Sequence, residues 1–158
     1  MSKRVLAAFC SGLLLMVALC GAKRHAGNLV DIQAITKTRM AGWVFEKGPG
    51  TRITCGIEAR FKVHGKGIVT LPVLAVYFFD RNKKQVEKVE SYFVKKGVQY
   101  KQETDHRFKA NQTQWVTFPY HNELKFAYFL VVAGEGQNVS ARVSPATATP
   151  DDFNFQDK

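Results

Sequence analysis

The sequence predicts an all-β protein, a single-domain antiparallel β-sandwich of the jelly-roll or immunoglobulin kind. Three observations carry this. Residues 53–63 alternate apolar and polar side chains with a period of two. The segments 71–80 and 124–133 are apolar on both parities, as strands covered on two faces are. Turn-forming clusters recur about every 8–15 residues with no helical period between them, giving seven to nine strands.

Before the first strand stands a leader. Lys3 and Arg4 are basic, Val5 to Leu19 is almost wholly apolar, and Cys20, Gly21 and Ala22 are small, the three-part pattern of a signal peptide. The apolar run falls short of the roughly 20 residues a spanning helix needs. The expectation is an exported protein, secreted or periplasmic, processed close to Lys23. Val17-Ala18-Leu19-Cys20 also resembles a bacterial lipobox, with Leu19 where that motif takes Gly, Ala or Ser. Two further outcomes therefore stay open: a lipoprotein anchored through Cys20, and, given Lys23-Arg24-His25 just after the run, an uncleaved anchor.

Residues 23–38 read as an N-terminal leader onto the domain, with a short strand at Asp31 to Ile35, and the sandwich is expected over 39–143. Met40 to Phe45 is a strand candidate closed by the turn Lys47-Gly48-Pro49-Gly50. Next comes one long strand. Ile53, Cys55, Ile57, Ala59, Phe61 and Val63 should face inward, with Arg52, Glu58, Arg60 and Lys62 outward. Leu71 to Asp80 follows, with Pro72 confined to its start because proline cannot donate to a ladder. After the turn Arg81-Asn82-Lys83-Lys84 come strands at Val86 to Val94, Tyr100 to Phe108, Thr113 to Phe118, Leu124 to Ala133 and Asn138 to Val143. Residues 144–158, rich in Ala, Thr and Pro, read as a flexible tail.

The net charge is +10, and removal of Lys3 and Arg4 with the leader lowers it by two. Lysines dominate, interspersed with acids, which reads first as solvated strand faces and second as attraction to an anionic polysaccharide or cell-envelope surface. No nucleic-acid module is recognisable, so nucleic acid is not an expected partner. Loss of Cys10 and Cys20 with the leader leaves Cys55 alone, and no intramolecular disulfide can form.

The order of elements resembles the galactose-binding-like jelly rolls of carbohydrate-binding modules over about residues 50–143. The likeness rests on Ile57-Glu58-Ala59-Arg60-Phe61-Lys62-Val63 before Gly65-Lys66-Gly67, then Val76-Tyr77-Phe78-Phe79-Asp80-Arg81-Asn82-Lys83-Lys84. Gln112-Thr113-Gln114-Trp115-Val116-Thr117-Phe118-Pro119 and the strand ending Val132-Ala133-Gly134-Glu135-Gly136 complete it. The resemblance implies a jelly-roll sandwich that binds carbohydrate. Such modules commonly hold a structural calcium through an aspartate on the last strand. Asn138 to Val143 carries no carboxylate, so no calcium site, and no other metal or cofactor, is carried over.

Catalytic patterns are absent. His25, His64, His106 and His121 have no metal-binding spacing, Asp105 and His106 are strand neighbours that point apart, and there is no Gly-x-Ser-x-Gly elbow. A non-catalytic binding protein is expected, with a structural or protein-interaction subunit of an envelope assembly as the alternative. Trp43, Tyr92, Tyr100, Trp115, Phe118 and Tyr120 are candidates for stacking on a sugar ring. Trp115 is assigned to the core because it opens an alternating strand, whereas Tyr92, Tyr100 and Tyr120 lie beside charges and turns and are expected outside. The ligand set expected is Tyr92, Tyr100 and Tyr120 for stacking, with Lys83, Lys84, Lys95 and Lys96 for charge. Asn111-Gln112-Thr113 and Asn138-Val139-Ser140 are glycosylation sequons, used only in a eukaryotic secretory pathway.

Overall fold

The computed structural model describes residues 28–40, 45–46, 52–53, 55–97 and 99–155. The leader, Cys20, Trp43 and the turn at 47–50 lie outside the described residues. In chain order the strands are β1 (Val30–Arg39), β2 (Phe45–Glu46), β3 (Arg52–Ile53), β4 (Cys55–Val63), β5 (Ile68–Thr70), β6 (Val73–Phe79) and β7 (Gln85–Val89). There follow β8 (Tyr92–Lys96), β9 (Gln99–Glu103), β10 (Arg107–Lys109), β11 (Thr113–Tyr120), β12 (Tyr128–Glu135) and β13 (Asn138–Ser144). All pair antiparallel. A five-stranded sheet runs β1-β4-β11-β8-β9 and a four-stranded sheet β13-β12-β6-β7, with β10-β5 and β2-β3 as short pairs.

The protein is an antiparallel β-sandwich. Ile57, Ala59, Phe61 and Val63 of β4, and Val116 and Phe118 of β11, meet Leu74, Val76 and Phe78 of β6 and Phe129, Val131 and Ala133 of β12. Phe61 packs edge-to-face on Phe108 of β10, ring centroids 5.1 Å apart. A buried aromatic of this size stabilises by about 1.5–3 kcal/mol relative to exposure. The predicted alternation thus holds from Ile57 to Val63. The single long strand does not: Arg52–Ile53 pairs with β2, and β4 starts at Cys55. Inside β4, a Cβ on Gly56 would lie 2.5 Å from the Thr117 methyl on β11. Only glycine lets β4 and β11 approach so closely.

Three further expectations are corrected. Residues 30–38 are not a leader. They form most of β1, pair with β4 along its length, and put Val30 and Ile32 into the core. β1 also closes one side of the sandwich, since Arg142 of β13 donates to the Ile32 and Gln33 carbonyls at 2.8 and 2.6 Å, and Ser140 donates to the Val30 carbonyl. Val86 to Val94 is two strands, because the chain crosses from one sheet to the other at Glu90-Ser91. Tyr100 to Phe108 is likewise divided at His106, whose φ of 52° is incompatible with a continuing strand. His106 is tied to Leu71 twice, with Leu71 N–H donating to the His106 carbonyl at 2.9 Å and His106 Nδ1 lying 3.0 Å from the Leu71 carbonyl, and this seats β10 against β5.

Residues 145–155, read above as a flexible tail, are placed along the outer face of the four-stranded sheet. Ala148 and Phe153 are buried there with Ala75, Tyr77, Phe79, Leu130 and Val132. Phe153 lies 4.5 Å from the Phe79 ring and 5.3 Å from Tyr128, and Phe155 lies 5.3 Å from Tyr77. β6 and β12 are therefore covered on both faces, as their doubly apolar sequences require. One cover is the opposite sheet and the other is the tail.

Candidate functional site

Strand register decides which side chains share the outer face of the five-stranded sheet. Val116 and Phe118 point into the core, so Thr113, Trp115 and Thr117 of β11 point outward. Trp115 stands directly opposite Arg60 of β4, and Thr117 opposite Phe93 of β8. Phe93, Lys95, and Tyr100 of β9 opposite Lys95, therefore lie on the same face. Trp115 is 48% exposed, and the Arg60 guanidinium sits over its ring at 5.3 Å. Arg60 Nε is shielded from solvent without a hydrogen-bond partner, as expected of a guanidinium stacked flat on an indole.

Thr117 and Phe93 form the single ladder pair between β8 and β11. Beyond it the strands part, and Lys95 and Trp115 flank a cleft of about 390 Å³. Val94, Tyr92 and Phe108 form apolar parts of its wall, while Glu103, Asp105 and Arg107 supply charge. Glu103 is committed within the protein: Lys96 and Lys101 hold its carboxylate at 3.2 and 3.4 Å and keep it below the usual carboxylate range. Lys95 has no ion-pair partner among the described residues and is exposed. The face thus combines a flat aromatic surface with cations on both sides of it.

The ligand set expected from sequence is only partly gathered here. Tyr100 and Lys95 share the face. Tyr92 does not: it is 1% exposed, packs edge-to-face with His106 at 5.4 Å, and is pushed up to about 12 by burial and then by the nearby Asp105 charge. It is a wall, not a platform. Tyr120 is half-buried between the sheets, 5.4 Å from Phe78 and 5.3 Å from Phe126, and burial together with Cys55 raises it to about 12. Lys96 is tied to Glu103. Lys83 and Lys84 belong to the turn between β6 and β7 of the other sheet, where Lys83 pairs with Asp152 at 3.2 Å and Lys84 N–H donates to Asp80.

Sequence reasoning missed the two residues that define the face. Trp115 was assigned to the core and lies outside, and Arg60 was treated as a plain surface charge. The signal was available: Trp115 shares its parity with Thr113 and Thr117, whereas Val116 and Phe118 carry the apolar parity. Of the sequons, Asn111 is engaged, its side-chain amide donating to the Gly65 carbonyl at 2.9 Å, and Asn138 is exposed at the start of β13. Among the described residues no three His, Cys, Asp or Glu side chains gather to hold a metal ion, and no helix is long and apolar enough to cross a membrane. In comparisons with protein-family models, curated proteins and solved structures, the chain matches none.

Proposed function

We propose that this is an exported, non-catalytic binding protein that holds an acidic polysaccharide against the outer face of its five-stranded sheet. The observation that carries the reading is Trp115: a large aromatic left exposed, stiffened by the Arg60 stack, beside a cleft whose opposite rim is the unpaired Lys95. An indole face suits the C–H face of a pyranose, and its N–H suits a wet surface. Arg60, Lys62 and Lys95 supply the charge that a uronate or sulfated sugar would meet. The resemblance to the galactose-binding-like jelly rolls of carbohydrate-binding modules supports the same ligand class.

The edge strand β9 bears on the alternative, an interaction subunit that pairs with a partner strand. Lys101 and Glu103 on that edge are the kind of charges that blunt strand addition, which favours the glycan reading.

Titration of the secreted chain with an oligouronate and a neutral oligosaccharide tests it, at low salt and at 1 M salt. Trp115→Ala should weaken oligouronate binding about tenfold, or ~1.4 kcal/mol, at both salts. Lys95→Gln should weaken it only at low salt, because the Debye length falls from about 10 Å at 0.1 M to about 3 Å at 1 M. If neither ligand binds, or if Trp115→Ala binds like the parent, the glycan reading fails and the interaction subunit takes its place.

A further inference from the structure

A second, chemically different cavity lies at one open end of the sandwich. It measures about 800 Å³, a size that suits a small-molecule ligand. Its walls come from both sheets and from the connection between β11 and β12. Cys55 and Tyr120, which pair directly across β4 and β11, form one side with Lys37 of β1. Asp80 and Arg81 come from the turn after β6, and Leu124, Lys125 and Phe126 from the connection.

Two features of this lining point to one kind of ligand. The first is charge. Lys37, Arg81 and Lys125 converge on the cavity, and none is ion-paired among the described residues. Asp80 is the one acid among the described lining residues, and its Oδ1 is already used by the backbone N–H groups of Asn82 and Lys84 at 2.8 and 3.0 Å. The second is an aromatic floor. Phe126 packs on Phe78 at 4.7 Å and on Tyr120 at 5.3 Å, and Lys37 Nζ lies 4.4 Å from the Phe126 ring centroid. The neighbouring cavity across Tyr120 and Leu124, about 640 Å³, has Glu87, Glu90 and Glu123 in its lining with Lys88, which pairs with Glu90 at 2.7 Å, and so is acidic on balance.

We infer that the basic cavity binds an anionic amphiphile: a carboxylate or phosphate head held by Lys37, Arg81 and Lys125, on an apolar body lying over Phe126, Tyr120 and Leu124. This site is separate from the Trp115 face and stands whether or not a glycan binds there. A purely polar anion would leave the aromatic floor wet. An uncharged apolar molecule would bury Arg81 and Lys125 without compensation.

Calorimetry of the full chain with dodecanoate and with dodecyl phosphate, below their micelle concentrations, tests the inference; the two arms separate a carboxylate head from a phosphate head. Dodecyltrimethylammonium is the charge-reversed control. Saturable binding of at least one anion and none of the cation is expected. Each of Lys37→Gln, Arg81→Gln and Lys125→Gln should weaken it up to about fivefold, as loss of one exposed ion pair does, and the triple variant more than tenfold. Cys55 lines the site, so the bound anion should slow its alkylation by iodoacetamide at least fivefold, read by peptide mapping. Trp115→Ala should bind the anion like the parent. Equal binding of the cationic control, an unaffected triple variant, unchanged Cys55 alkylation at saturation, or no binding at all would each overturn the inference.

Discussion

Phe153→Ala is the sharpest test of how the C-terminal segment is held. The ring is 5% exposed and stacks at 4.5 Å on Phe79 and 5.3 Å on Tyr128. Truncating a buried phenylalanine removes its transfer free energy and leaves a cavity, together about 3–5 kcal/mol. Two features decide where in that range the variant falls. Residues 153–155 belong to no strand, so the segment can shift to fill the gap, which lowers the cost. Against this, Asp152 ties the preceding turn down by accepting from Thr149 N–H at 2.7 Å and pairing with Lys83 at 3.2 Å, which limits the shift. A loss of about 3 kcal/mol is expected. Urea denaturation should show it as a lower midpoint with an unchanged slope, since the variant changes stability and not the area exposed on unfolding. A loss below about 1 kcal/mol, the range of a surface substitution, would refute the reasoning and mean that the segment does not cover the sheet.

Gly134→Ala should be at least as costly, about 3 kcal/mol, because the added Cβ would lie 2.1 Å from the Asn138 carbonyl oxygen, a backbone atom that cannot swing aside; equal urea midpoints for variant and parent would refute it. For alkaline pH the sign follows from the raised phenols. Tyr92 and Tyr120 stand at about 12 in the folded chain against about 10 for an ordinary phenol, so their contribution to stability is fully present below pH 10 and is lost as pH rises through 12. Absorbance at the phenolate band should therefore show tyrosines that ionise late, at about pH 12, and Tyr92→Phe with Tyr120→Phe should remove that step. Ionisation of every tyrosine near pH 10 in the folded protein would contradict it.

Much of this architecture was legible because strand periodicity is a local property. Ile57 to Val63 alternates so cleanly that its inward face follows from the sequence, and Pro72 limits β6 to residues after it. What was not legible depended on partners far along the chain. The doubly apolar β6 and β12 demand two covers, yet nothing local says that the second is Phe153 and Phe155 and not another sheet. The change of sheet at Glu90-Ser91 is hidden because valines and aromatics continue on both sides of it. Tyr92 was misplaced for a related reason: charged neighbours in sequence say little about a strand residue whose own parity points inward. Trp115 is the opposite case. Its parity with Thr113 and Thr117 announced an outward position, and the general preference of tryptophan for interiors overrode a clearer local signal.

The strand order has a consequence for how the chain can be made. β11 stands between β4 and β8, and β12 between β6 and β13, so each sheet is joined through a strand from the last third of the sequence. A nascent chain that has reached residue 110 holds β4, β6 and β8 with their ladder edges unsatisfied and their apolar faces uncovered. Pairings that wait for such distant partners are slow, and the waiting species is prone to aggregate. A topology that cannot close before β11 and β12 emerge keeps the ladder edges of both large sheets open together, and then lets the two sheets be completed at once.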